Sequence, residues 1–282
     1  MNSTAQAGSS ARTVSPTAQL TTAFGWLVSA LAVASFLLAG WALSSPVQLP
    51  GKAGWPEGVL VFTTMIASLF SLARQLPGQN VILATAVIGS IGGIAHGLSA
   101  VLAIPFGPFT FTDNAGPKIF GLVPWSMPAL WVIAILNSRG VARLILRPWR
   151  KLRTYGFWLI GVTAALTVLF AVSLDPFASQ VKHYWLWEPT KFPLTWHGAP
   201  LVNFLGWLVT ALVILAFATP ALINKQPRSK TSAPDYHPLV VWLLSLALFA
   251  IAAIVHNLWP AAGFCILTAM AVAIFAIRGA RW

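Results

Sequence analysis

Acidic residues are nearly absent. Five carboxylates, Glu57, Asp113, Asp175, Glu188 and Asp235, serve 282 residues that also hold 17 lysines and arginines. Charged residues make up 8% of the chain, against roughly 25% in a soluble domain, so it cannot clothe itself against water. No two acids lie within four residues of each other, which excludes the paired-acid Mg²⁺-diphosphate sites of prenyl-transferring membrane enzymes. The histidines (His96, His183, His197, His237, His256) are scattered, with no HxxH or HxxxH pair, which argues against a bound metal. All seven lysines fall between the apolar runs, so a retinal Schiff base has no lysine within a span. Neither GxGxxG nor GxxxxGK[ST] occurs, which removes the common nucleotide-binding signatures. The single cysteine, Cys265, permits no intrachain disulfide and sits in an apolar run as a packing residue. What remains is acid–base chemistry without a cofactor, or simple binding.

Apolar length is abundant. The chain is 57% hydrophobic with a mean hydropathy of +0.78. Apolar runs at 21–43, 58–73, 80–103, 122–138, 155–174, 200–223, 238–257 and 260–278 predict about eight transmembrane helices, hence an all-α polytopic membrane bundle. Residues 1–20, rich in Ser, Thr and Ala, read as a disordered tail, and 21–282 as a single transmembrane domain. Between the sixth and seventh runs, NKQPRSKTSAPD (224–235) reads as a flexible linker.

The net charge of +12 is unevenly placed. With eight spans, thirteen basic residues fall on the side of the termini, six of them in RGVARLILRPWRKLR (139–153), and only Lys52, Lys118, Lys182 and Lys191 on the other. That bias predicts cytoplasmic termini in a bacterial-type inner membrane. It assigns the basic stretch to anionic lipid headgroups rather than to nucleic acid.

Four of the five acids, all but Asp235, fall on the opposite face. Two connections there, PFGPFTFTDNAGPKIFG (105–121) and LDPFASQVKHYWLWEP (174–189), are rich in proline and aromatic rings. Exposed loops do not need that much ring surface, so they are expected to fold back as re-entrant or interfacial structure. An aromatic belt at headgroup depth accounts for the rings but not for the acids among them. In the third run, Thr85, Gly89, Gly93 and Gly97 form a small-residue stripe at helical spacing. It admits either a neighbouring helix or a long thin ligand.

The ordered set PFGPFTFTDNAGPKIFG, SLDP (173–176), WLWEP (185–189) and GAPLVNFLGW (198–207) resembles the integral membrane carotenoid biosynthesis family, which includes carotenoid hydratases. The resemblance covers roughly residues 85–215. It implies a linear-ended C40 polyene as substrate, addition of water across a terminal isoprenoid double bond, and no cofactor. Two positions depart from the family pattern. His96 stands where a glutamate usually precedes PFG, and Ala171 where an aspartate usually precedes the Asp-Pro pair by one turn.

Hydrating such an alkene requires a protonated acid, electron-rich rings beside a tertiary cation, and a polar group to hold water. Asp175 is the first candidate acid; alternatively it caps a helix begun by Pro176. Asp113 follows, with an Asx-type turn as its alternative. Glu188 is either a water-orienting base or a partner of Lys182 or Lys191. Trp185, Trp187 and Tyr184 are candidates to flank the cation or to anchor at the interface, and Phe106 and Phe109 to line the substrate site. Asn203 orients water or the carboxyl, or bonds a neighbouring helix. His96 is either a replacement proton donor or a satisfied buried histidine, and Gly93 and Gly97 leave room for a polyene. A non-catalytic carotenoid- or lipid-binding protein is the rival reading.

Overall fold

The computed structural model describes residues 16–44, 55–190, 194–223 and 234–282, with side chains for 24–43, 58–190, 194–223 and 234–282. Most of the predicted tail and linker, and the Glu57 side chain, lie outside these. Each predicted apolar run becomes one helix: α1 (Pro16–Ser44), α2 (Trp55–Ala73), α3 (Gly78–Leu102), α4 (Ser126–Ile145), α5 (Tyr155–Pro176), α6 (Leu201–Ala218), α7 (His237–Val255) and α8 (Trp259–Ala280). Seven of these are long and apolar enough to cross a membrane; the apolar part of α2, Gly58–Ala73, is shorter.

Helix α4 holds the centre, packed against α2, α3, α5, α7 and α8. Its Trp131, Ala134 and Ile135 are fully buried. With hydrocarbon outside, burial alone does not select neighbours, and polar side chains fix them instead. Asn137 of α4 donates to the Ser68 hydroxyl of α2 at 2.9 Å, and Trp242 of α7 donates its indole N–H to Ser138 at 3.3 Å. The observed α4 begins later and ends later than the predicted span 122–138. Val123 and Pro124 belong to a short strand, and the helix continues through Arg139 and Arg143, which the charge pattern had placed in a connection.

The small-residue stripe of α3 packs on the start of α4 and the short strand before it. A Cβ at Gly93 would stand 3.1 Å from Pro128, and at Gly97 3.4 Å from Val123. The tightest approach lies one residue off that stripe, at Gly92, where a Cβ would meet Cγ of Trp131 at 2.3 Å. Trp131 is stacked on Trp207 at 4.1 Å and cannot give way cheaply. Gly92→Ala is therefore expected to destabilise the bundle by about 3 kcal/mol. Gly89→Ala, whose Cβ would sit at an ordinary 3.6 Å from Pro128, is the control. Thermal unfolding of the detergent-solubilised variants separates the two.

The aromatic connections do fold back onto the bundle, and they do so by pairing with each other. Strands β1 (Phe109–Phe111) and β4 (Trp185–Trp187) form an antiparallel ladder, with Phe109 opposite Trp187 and Phe111 opposite Trp185. Alternation sends Phe109, Phe111 and Trp185 inward and leaves Thr110 and Leu186 exposed. Two smaller pairs, β2 (Lys118–Ile119) with β3 (Val123–Pro124) and β5 (Thr195–Trp196) with β6 (Ala199–Pro200), complete the rim.

Candidate functional site

Beneath the ladder lies one buried carboxylate. Asp175 is 2% exposed and sits inside α5, which runs through Pro176 and ends in a π-helical turn, Phe177–Val181. Proline brings no N–H, so the carbonyl four residues earlier, Val172, loses its helical donor. The Trp196 indole N–H takes that place at 3.0 Å and ties the β5 strand to the helix end. Asp175 is thus no helix cap; its oxygens face three donors from other segments. Trp187 donates to Oδ1 at 3.0 Å and Trp185 to the same oxygen at 3.4 Å, while Asn203 of α6 donates to Oδ2 at 2.8 Å. Asn203 lies in the first turn of α6 and is itself 3% exposed. A carboxyl group offers about four lone-pair sites. The three donors engage both sites of Oδ1 and one of Oδ2, and the Ser179 hydroxyl also lies against the carboxyl.

The other two candidate acids stand apart. Asp113 is fully exposed, in a 3₁₀ turn, and pairs with Lys118 at 3.3 Å. The turn there is held by Thr112, whose hydroxyl accepts from the Asn114 N–H at 3.2 Å, rather than by Asp113. Glu188 is exposed and accepts from the Thr110 hydroxyl at 3.2 Å across the ladder. The rim also holds His197, whose imidazole pKa is lowered from its ordinary value by partial burial.

His96 occupies a second centre, enclosed by rings. Phe106 lies 4.3 Å away, with Phe109, Phe111, Trp131 and Trp207 around it at 5.9 to 6.3 Å. His96 Nδ1 stands between the Trp131 indole N–H, which can only donate, at 3.1 Å and the Gly92 carbonyl, which can only accept, at 3.2 Å. Phe106 is positioned by its own backbone: its N–H and the Gly107 carbonyl both bond the Ser99 hydroxyl of α3, at 3.2 and 3.3 Å. Gly107 adopts φ +94°, in the left-handed region, which lets the chain reverse there. The two centres share a wall. Phe109 contacts Trp187 at 5.3 Å and Phe111 contacts Trp185 at 6.3 Å, while Asn203 and Trp207 occupy successive turns of α6.

On the far side of Trp185 is an apolar cavity of about 630 Å³ between α1, α2, α4, α5 and α7. Phe111, Leu174, Phe177, Tyr184 and Trp185 line its outer part, and Thr64, Ile133 and Phe170 its deep end. Trp185 both lines this space and donates to Asp175; the carboxyl itself does not reach the lining. The Thr64 hydroxyl at the deep end is buried without a hydrogen-bond partner. Phe106, Phe109, Gly93, Gly97 and His96 do not border the cavity. Sequence reasoning passed over Trp131, Trp207 and Thr64, and named Phe111 only as apolar surface. For Trp207 a signal existed, since it stands four residues after Asn203 on the same helical face. Among the described residues, no three His, Cys, Asp or Glu side chains gather as a metal site.

The profile of a family described as "Carotenoid biosynthesis protein" matches residues 56–272. A curated protein named bisanhydrobacterioruberin hydratase, from Haloarcula japonica, is 29% identical over 109 residues, which is 39% of this chain and 34% of that protein. The chain therefore matches about a third of that relative's length. No solved structure matches the chain.

Proposed function

This chain belongs to the carotenoid biosynthesis protein family, and from that premise we propose that it adds water across a terminal isoprenoid double bond of a linear-ended carotenoid. The observation that carries this reading is the buried Asp175 carboxyl, ringed by two indoles and an amide beside an apolar cavity. The proton on Oδ2 transfers to the less substituted alkene carbon and leaves a tertiary cation. The faces of Trp185 and Trp187 stabilise that charge. Water then bonds to the cationic carbon, and the proton it sheds returns to the carboxylate, so the sum is alkene plus water giving a tertiary alcohol. Asn203 fixes the carboxyl's orientation throughout. Asp113 and Glu188, exposed on the rim, take no part in proton transfer in this scheme.

The cavity suits the substrate's shape. Its lining runs from Phe170 of α5 through the π-helical turn to Lys182, a distance of about 18 Å at most. An extended C40 polyene is on the order of 30 Å long, comparable to the hydrocarbon core of a bilayer. Roughly half of such a molecule fits inside and the remainder extends into lipid. Trp185 stands between the cavity and Asp175 and makes the longest of the three bonds to it, so its ring is the one that has to swing aside for an alkene to reach Oδ2.

Expression in a host accumulating an acyclic C40 carotenoid is expected to yield a pigment heavier by one water. Pigment of unchanged mass, with the protein present in the membrane, would remove the hydratase reading. A second reading, a carotenoid-binding protein without catalysis, draws support from the same wall, since Asp175 does not border the cavity. It requires the purified protein to carry pigment that never changes mass on incubation.

A further inference from the structure

A second cavity, of about 350 Å³, lies at the opposite end of the bundle, where α4 and α6 end and α5 begins. Arg139 and Arg143 of α4 and Tyr155 of α5 line it, with Leu159 and Leu222 supplying apolar wall. Arg139 is 8% exposed, and one of its guanidinium N–H groups donates to the Leu222 carbonyl at 3.0 Å. A buried cation calls for an opposite charge, since a carbonyl oxygen answers a donor but does not neutralise the group.

This chain has almost nothing to supply one. Of its five carboxylates, Asp113, Asp175 and Glu188 belong to the aromatic end of the bundle, and Glu57 lies at the opposite end of α2 from the Gln75 turn. Asp235 is near, but it is committed. It accepts from Ser71 at 2.7 Å, from Gln75 at 2.6 Å and from the His237 N–H at 3.1 Å, and it pairs with Arg74 at 3.7 Å. Gln75 is in turn the acceptor for Arg143 at 2.7 Å, so the amide relays Asp235 to Arg143 and leaves Arg139 outside the chain of bonds.

We propose that the cavity beneath Arg139 and Arg143 binds a phosphate group, with Arg139 as the principal ligand. A guanidinium presents a planar fork of N–H donors that matches two phosphate oxygens at once. Arg143 adds a second positive charge to the same space, and the Tyr155 hydroxyl a further donor. The position, at the ends of membrane-length helices and on the basic side of the chain, sets the site at headgroup depth. Two sources share this chemistry, an anionic phospholipid headgroup and a free phosphate.

The full chain, purified in a neutral detergent, is titrated with short-chain phosphatidylglycerol, short-chain phosphatidylcholine and inorganic phosphate. Saturable binding of phosphatidylglycerol, with phosphatidylcholine far weaker, is expected if a lipid headgroup is the occupant. Saturable binding of inorganic phosphate, competing with the lipid, is expected if free phosphate enters. Arg139→Gln is expected to weaken binding at least about tenfold. Because that variant also leaves the Leu222 carbonyl unmatched, Leu159→Trp provides a second arm that fills the cavity and keeps every charge; it is expected to lose binding equally. Wild-type protein that saturates with neither anion overturns the proposal. So does phosphatidylcholine binding as tightly as phosphatidylglycerol, or wild-type affinity in both variants.

Discussion

Asp175→Asn is expected to lower the yield of hydrated carotenoid by about a thousandfold, within the range general acid catalysis contributes, while the protein still folds and still binds pigment. The substitution removes the only proton the site can offer and almost nothing else. In the wild type, Oδ1 accepts from Trp185 and Trp187 and Oδ2 from Asn203. An asparagine can keep its carbonyl toward the two indoles and place its NH₂ toward Asn203. That amide then turns over and presents its oxygen, so the new NH₂ and both indole N–H groups have an acceptor and only the Asn203 NH₂ exchanges its partner. Asp175→Leu differs in kind, because it strands the buried N–H groups of Trp185 and Asn203 and the half-buried one of Trp187, and it is expected to destabilise the fold by about 3 kcal/mol or more. Asp175→Glu keeps an acid but shifts it by one methylene, for an expected loss of about a hundredfold. Product mass, bound pigment and thermal unfolding, read on all three, separate chemistry from structure. Full activity in Asp175→Asn would remove this carboxyl as the acid. A variant that binds pigment normally, from a wild type that never alters it, would favour the binding reading.

Asp175 was legible from sequence because a lone acid at the end of an apolar run has to be answered by nearby polar groups, and Trp185, Trp187 and Asn203 were within reach. Only Asn203 reads from sequence as orienting the carboxyl; the two indoles read as rings beside a cation or at the interface, and their donation to Asp175 depends on the ladder that brings them there. Asp113 and Glu188 carried the same compositional signal, yet they lie where the ladder meets the surface, and no one-dimensional feature separates an acid under a hairpin from one on its rim. The ladder itself was hidden for another reason. Phe109 and Trp187 pair across 78 positions, and strands of three residues leave only the short alternations FTF and WLW as a trace.

Helix boundaries erred where composition misled. Apolar residues before Ser126 drew the fourth span toward the N-terminus, and Arg139 and Arg143 read as its end. The structure keeps both arginines helical and buries the first, whose guanidinium donates to the Leu222 carbonyl beside a cavity. The glycine stripe shows a finer limit. Spacing of four identified the α3 face that meets α4, but the closest contact depends on where Trp131 points, which puts Gly92 ahead of Gly89, Gly93 and Gly97. His96, read as either a proton donor or a satisfied histidine, has the Trp131 indole and the Gly92 carbonyl at its Nδ1 within a closed ring cluster.

Gly206→Ala is expected to couple fold and chemistry most directly. A Cβ at this position would stand 2.5 Å from the Pro105 carbonyl oxygen and 2.7 Å from the Phe106 ring. Neither can retreat cheaply. The Phe106 N–H and the Gly107 carbonyl are both pinned to Ser99, and the Phe106 ring is wedged under His96 at 4.3 Å. Helix α6 has to move instead, and Asn203, three residues before Gly206, moves with it away from Asp175. Overpacking of this kind costs about 3 kcal/mol at the upper end of the usual range. A displacement near 1 Å at a catalytic group costs about a hundredfold in rate. Gly206→Ala is therefore expected to lower both the unfolding temperature and the hydrated product. Gly263→Ala on α8, where a Cβ meets nothing within 4 Å, is expected to change neither. Loss of stability with full hydration per folded molecule would show that Asn203 keeps its hold on Asp175 without the close seat of α6 on the Pro105 turn. Loss of both in step is the result expected if the glycine is what places the amide.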